Sequence, residues 1–247
     1  HFQMTMRNGR RCSSATAFLK PARGRSNLQI FTGAKTLGLV MEGRRAAGIR
    51  VRRGNEEIKV RARREVVLSA GSLGSPHILM LSGIGAGAEL SAHAIEVVHD
   101  LAGVGKNLQD HLQARPVYKT MTSTINSETR HPLQYVGIAL EYALKRSGPM
   151  AMAASLGTAF LKTRPELETP DIQFHLQPFS ADKPGEGTHP FSAFTASVLQ
   201  LRPESTGHIE LKSSSPDDYV AIHPNYLATK TDCDTIVAGV RIARAVC

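Results

Sequence analysis

The stretch 65–76, Glu-Val-Val-Leu-Ser-Ala-Gly-Ser-Leu-Gly-Ser-Pro, constrains what this chain can fold into more than any other. Residues 65–70 are apolar without a break at their centre, β-branched at Val66 and Val67, and end on Gly71, the pattern of a strand covered on both faces. Small residues follow, which let backbone come close to a ligand. Ser75 stands where it can cap a helix, and Pro76 takes the first helical position, where no N–H is required. The helix expected over 76–81 closes at Ser82-Gly83. A strand that feeds a Gly/Ser turn and a fresh helix N-terminus offers unpaired N–H groups and the positive end of the helix dipole, which suits phosphate or pyrophosphate. The same turn also reads as plain connection between strand and helix, so both readings stand at this point.

Composition narrows the alternatives. Hydrophobic residues make up 41% of 247, enough to fill an ordinary core, and no apolar run approaches the roughly 20 residues that cross a bilayer. No membrane span is expected. The formal charge of +9 favours anionic partners. Much of it gathers in Arg44, Arg45, Arg50, Arg52, Arg53, Arg61, Arg63 and Arg64. No aromatic residues for base stacking are interleaved there, so a solvated basic face is favoured over a nucleic-acid surface. Cys12, Cys233 and Cys247 form no C-x-x-C pair, which supports neither a disulfide framework nor a zinc site; the default is a reducing, cytoplasmic setting. The histidines His77, His93, His99, His131, His175, His189, His208 and His223 show no H-E-x-x-H spacing. The chain opens on His1 and stops at Cys247 inside an amphipathic run, and both ends read as cut, so targeting is left open.

Periodicity supplies the rest of the outline. Short β-rich runs at 28–32, 37–41, 47–52 and 57–62 alternate with Gly or charged turns, an antiparallel meander. Leu133, Val136, Ala139, Leu140, Ala143 and Leu144 recur at helical spacing over 132–146. Strands are expected at 155–161, 171–176, 191–201 and 207–212, in one sheet, with a polar Gly/Pro loop at 181–190. A last helix over 233–246 carries Ile236, Val240, Ile242 and Ala243 near one face, expected to pack in the core.

The wording of Gly71-Ser72-Leu73-Gly74-Ser75-Pro76-His77-Ile78-Leu79-Met80-Leu81-Ser82-Gly83-Ile84-Gly85 resembles the second signature of the glucose-methanol-choline (GMC) oxidoreductases. Further matches run along the chain in family order. They are Asn8-Gly9-Arg10-Arg11, Ala17-Phe18-Leu19, Ala46-Ala47-Gly48-Ile49, Gly103-Val104-Gly105-Lys106-Asn107-Leu108-Gln109-Asp110-His111 and Pro224-Asn225-Tyr226-Leu227. By wording, the choline and alcohol dehydrogenase branch is the nearest.

The resemblance implies an α+β fold: the C-terminal portion of an FAD-binding domain over 1–115, then an incomplete antiparallel-sheet substrate domain flanked by helices over 116–247. It implies FAD, with Thr36 presenting backbone to the adenine and Ala70, Gly71 and Ser75 lying where strand end and helix start meet the cofactor. It implies a small-molecule alcohol as substrate, oxidised to an aldehyde or ketone, with the electron acceptor unnamed. The family's G-x-G-x-x-G turn and its catalytic His, in a segment reading His-Pro-x-Gly-Thr, do not occur in these residues, so no catalytic residue is assigned and the isolated chain is expected to be inactive. Asn107, Asp110 and His111 read as structural hydrogen-bonding groups. Leu156 replaces the Glu that choline-oxidising members carry four residues before Phe160, which argues for a neutral alcohol. Ser215-Pro216 replaces the family's Asp-Pro, so a turn normally tied by charge is expected to be looser. The competing readings are a nucleic-acid-binding module built on the Arg-rich meander and an inert fold remnant.

Overall fold

A computed structural model describes residues 4–183 and 185–247; His1, and Pro184 within the 181–190 loop, lie outside the described residues. The fold is α+β with antiparallel sheets, as expected. Two compact units emerge, one of Gln29–Asp110 with Ser205–Tyr226, the other of His1–Leu28, His111–Glu204 and Leu227–Cys247.

In the first unit the meander is three strands, Ala34–Glu42, Arg45–Arg53 and Glu56–Arg61, paired antiparallel in that order. The expected strand at 28–32 is not one of them. The Leu28 N–H turns back to Arg25 O at 3.1 Å, and Phe31 is 60% exposed. Nor is 65–70 a buried strand: it forms no ladder, and Val67 is 74% exposed while Val66 and Leu68 are half-buried. An apolar run encodes the wish for cover, and no described strand pairs with this one.

A second small sheet sets Gly207–Glu210 between Lys106–Leu108 and Ala221–His223. The 207–212 run was expected in the other sheet. Its buried residues Gly207, Ile209 and Leu211 alternate, and Ile209 and Leu211 instead join a core with Met80, Leu90, Val104 and Val220. The 215–216 turn is tied rather than loose, because Asp217, one residue beyond Pro216, accepts from Lys35 Nζ at 2.7 Å and from Arg52.

The second unit holds a larger sheet in the order Val117–Lys119, Ala193–Gln200, Ile172–Gln177, Gly157–Leu161, all antiparallel, with Gln113–Ala114 also pairing along Ala193–Gln200. The Lys230–Val246 helix covers one face, meeting Ile172, Phe174 and Val198 through Ala243. Its buried stripe is Asp232, Thr235, Gly239 and Ala243; Ile236 and Val240 are only half-buried. Small side chains let the helix come down close to the sheet: a Cβ on Gly239 would stand 2.5 Å from Val198 Cγ1. Asp232 anchors the helix start, accepting from Gln200 Nε2 at 2.7 Å and Glu204 N–H at 2.9 Å. The Pro132–Lys145 helix ends on a left-handed Arg146, and its apolar positions stay in solvent, with Leu133 88% and Leu144 80% exposed.

Candidate functional site

The helix after the extended 65–70 segment runs over Gly71–Leu81, five residues earlier than sequence suggested. Two local facts explain the difference. Gly71 takes φ +82°, a left-handed turn that carries the chain straight into the helix without the linker the Gly/Ser run implied. Ser75 is not the cap; from within the helix its Oγ accepts the Ala70 N–H at 3.1 Å. Pro76 therefore sits inside the helix, where its missing N–H leaves the Ser72 carbonyl without a helical donor. No side chain caps the first turn, so its N–H groups and the positive end of the dipole remain available at the surface. Nothing lies within 4 Å of the position a Cβ on Gly71 would take.

The other end of this helix is fixed. The Ser82 hydroxyl donates to Ile78 O at 2.6 Å and accepts from the Leu39 N–H at 2.8 Å, tying the helix to the first meander strand. His77, on the same helix, has its imidazole pushed down by burial, with the Lys35 charge adding to the effect.

A cleft of about 310 Å³ opens beside the helix start. Ser72 and Pro76 line one side, and Gly105, Lys106, Asn107, Leu108, Gln109 and Ile209 the other. The Gly105-to-Gln109 part of the longer motif thus lines the same cleft as the first turns of the helix, a meeting that sequence spacing could not show. Asn107 holds φ +56°, and Gly105 is bonded back to the small sheet through Ile209 N–H at 2.7 Å. Lys106 Nζ is turned to Glu89 at 2.6 Å. Asp110 accepts from the Tyr226 hydroxyl, which holds the phenol above its ordinary range, mainly through that bond and then through burial.

Of the four expected cofactor residues, Ala70, Gly71 and Ser75 come together at the helix start. Thr36 lines a different cavity, of about 320 Å³, with Phe31 and the apolar meander positions Ile49, Val51, Ile58 and Val60. That face of the meander is apolar. Its opposite face carries Lys35, Arg50 and Arg52.

In the other unit, the sheet face away from the Lys230–Val246 helix is polar. Register sets Thr158 against His175 and His175 against Ser197, and Gln177 against Thr195. Gln173 Nε2 donates to Thr158 Oγ1 at 3.1 Å. Among the described residues, Ser197 Oγ and Gln177 Oε1 are buried without a hydrogen-bond partner, and burial pushes the His175 imidazole down. Leu156, whose N–H bonds Leu176 O at 3.0 Å, directly precedes the Gly157–Leu161 strand that carries Thr158 and Phe160.

Two GMC oxidoreductase family models match, the N-terminal one over residues 1–113 and the C-terminal one over 203–247. The chain is 38% identical over 254 residues to an alcohol dehydrogenase [acceptor] of Pseudomonas putida, covering 99% of this chain and 45% of that protein. It is 37% identical over 245 residues to an oxygen-dependent choline dehydrogenase of Brucella anthropi, covering 99% of this chain and 44% of the relative. The chain thus spans under half the length of these relatives. Its fold is shared with a formate oxidase of Aspergillus oryzae RIB40 studied for modification of its FAD, with a TM-score of 0.86 at 24% identity over 97% of this chain and 46% of that one. The chain belongs to the GMC oxidoreductase family.

Proposed function

We propose that these residues form part of an FAD-dependent oxidoreductase that oxidises a neutral primary or secondary alcohol to an aldehyde or ketone. The observation that carries the reading is the uncapped helix start at Gly71, open to solvent beside the Gly105–Gln109 edge of the cleft. Such a helix start suits an anionic diphosphate, and a Cβ at Gly71 would fill the space the cofactor backbone needs. FAD, when bound, supplies a hydride acceptor for the carbinol carbon. Ala70, Gly71 and Ser75 would lie along it by backbone and small side chains, and Thr36 would hold the adenine end from the apolar meander face. The division into a cofactor portion over 1–115 and a substrate portion over 116–247 belongs to the same proposal.

On the substrate side, the polar sheet face would receive the alcohol. Gln177 Oε1 and Ser197 Oγ are placed to satisfy a hydroxyl, since a buried polar atom without a partner costs about 1–3 kcal/mol. Leu156, immediately before the Gly157–Leu161 strand of the same sheet, supports a neutral alcohol over a quaternary ammonium. The chain's own residues bind and orient; the base that takes the hydroxyl proton is not among them, so the 247 residues alone would not turn over. Three free cysteines support a reducing, cytoplasmic setting. The nucleic-acid reading is not favoured, because Arg45, Arg50, Arg52 and Arg61 each meet a carboxylate, of Glu42, Glu57, Asp217 and Glu42 respectively.

The test is turnover by the native gene product with an artificial electron acceptor. Neutral primary or secondary alcohols should be oxidised with higher kcat/KM than choline. Preference for choline, or no alcohol oxidation by a flavin-loaded protein, would overturn the substrate assignment.

A further inference from the structure

The small sheet carries a cluster that the flavin reading does not use. His208 and Glu210 are two apart on Gly207–Glu210 and so share a face, while register sets His208 directly opposite His223 on the neighbouring strand. Ile209, between them, points the other way into the core. His208 Nε2 lies 3.0 Å from Glu210 Oε1, and His223 Nε2 lies 3.6 Å from Glu210 Oε2. The two imidazoles stack with centroids 4.7 Å apart, and one ligand atom from each of the three residues falls within 4.8 Å of the others. Nitrogen and oxygen ligands at about 2.0–2.1 Å from a tetrahedral ion stand roughly 3.3 Å from one another. The two carboxylate–imidazole separations bracket that value, so a small turn of the rings suffices to close a shell. The three side chains are 38%, 44% and 49% exposed, so an ion can reach them from solvent.

We propose that His208, Glu210 and His223 form a surface site for a divalent ion of the zinc class, with water completing the shell. Two imidazoles and one carboxylate select zinc, nickel or copper over magnesium and calcium, which prefer all-oxygen shells. The site bridges the two strands that flank residues 211–220, the segment that brings Asp217 to Lys35 and Arg52. A bound ion therefore staples the base of that segment. The mutual charge attraction of unmetallated His and Glu explains only the 3.0 and 3.6 Å pairs. Cross-strand register places the second imidazole on the first and keeps both within reach of one ion.

The experiment is a Zn²⁺ titration of the 247-residue chain at neutral pH, by competition with a chelating dye, alongside thermal melts with and without Zn²⁺. One saturable site is expected, weakened about tenfold or more in His208→Gln and in His223→Gln and abolished in the double variant, with His131→Gln unchanged. Circular dichroism confirms that each variant is folded. Zn²⁺ should raise the melting temperature of the parent chain, an effect reversed by EDTA and absent from the double variant. Equal stoichiometry and affinity in parent and double variant would assign the binding to the other histidines and cysteines and overturn the site, as would a parent that binds no Zn²⁺ saturably.

Discussion

Arg52 grips Asp217 through both terminal guanidinium nitrogens, across 165 positions of sequence, and Lys35 meets the same carboxylate at 2.7 Å. Hydrogen bonding from Arg52, then from Lys35, holds the Asp217 carboxyl far below its ordinary value of 3.8. A carboxyl depressed in the folded state adds stability that is fully present above pH 3.8 and is lost as pH falls through the folded value. Asp217→Asn should therefore melt below the parent chain at pH 7, and the gap should close as pH falls below about 4. Added salt should narrow the gap at pH 7, since the triad is solvent-exposed. Melting curves across pH check this. A gap that stays constant down to low pH would mean that Asp217 acts by shape alone.

Gly239 is the point of closest approach between the last helix and its sheet. Gly239→Ala gains up to about 1 kcal/mol of helix propensity but drives its methyl into Val198, where overpacking costs about 1–3 kcal/mol. Net destabilisation in urea melts is expected, relieved by Val198→Ala in the double variant. Additivity of the two substitutions would show that they do not meet.

Asn126 is fully buried in the larger-sheet unit. Its Nδ2 donates to Ser180 Oγ at 2.9 Å and Phe191 O at 3.1 Å, and its Oδ1 accepts the Ser180 N–H at 2.9 Å. Asn126→Ala strands these partners in the interior and should cost about 1–3 kcal/mol or more in urea unfolding, whereas Asn126→Asp should fare no better because it loses the donors and buries a charge.

Leu156 tests the substrate assignment from the protein side. Leu156→Glu in the native gene product should raise kcat/KM for choline relative to neutral alcohols, because a carboxylate beside Gln177 attracts a quaternary ammonium. An unchanged ratio would remove Leu156 from the substrate face.

The parts of this fold that were legible in sequence are those whose physics is local. The expected strands at 155–161, 171–176 and 191–201 fall on strands 157–161, 172–177 and 193–200, and the expected helices at 132–146 and 233–246, read from their period, on helices 132–145 and 230–246. The 65–70 run misled because apolarity states a need for cover without saying what supplies it. The helix began early because Gly71 turns left-handed and Ser75 bonds backwards, choices that composition does not encode. Of the four residues the family resemblance pointed to, Ala70, Gly71 and Ser75 are sequence neighbours at the helix start, while Thr36 lines a separate cavity. What stayed hidden was long-range: the Gly105–Gln109 edge beside Ser72, the Asp217 clamp, and His208 across from His223.

The most direct measurement is the visible spectrum of the native gene product, read together with the nucleotide released on denaturation. The expected result is an oxidised-flavin spectrum and stoichiometric FAD. Gly71→Arg, which sets a bulky cation on a left-handed backbone in the open space above the helix start, should come away with flavin content reduced about tenfold or more, a loss of roughly 1.4 kcal/mol or more in binding. A folded, colourless parent protein that takes up no added FAD would contradict the central claim.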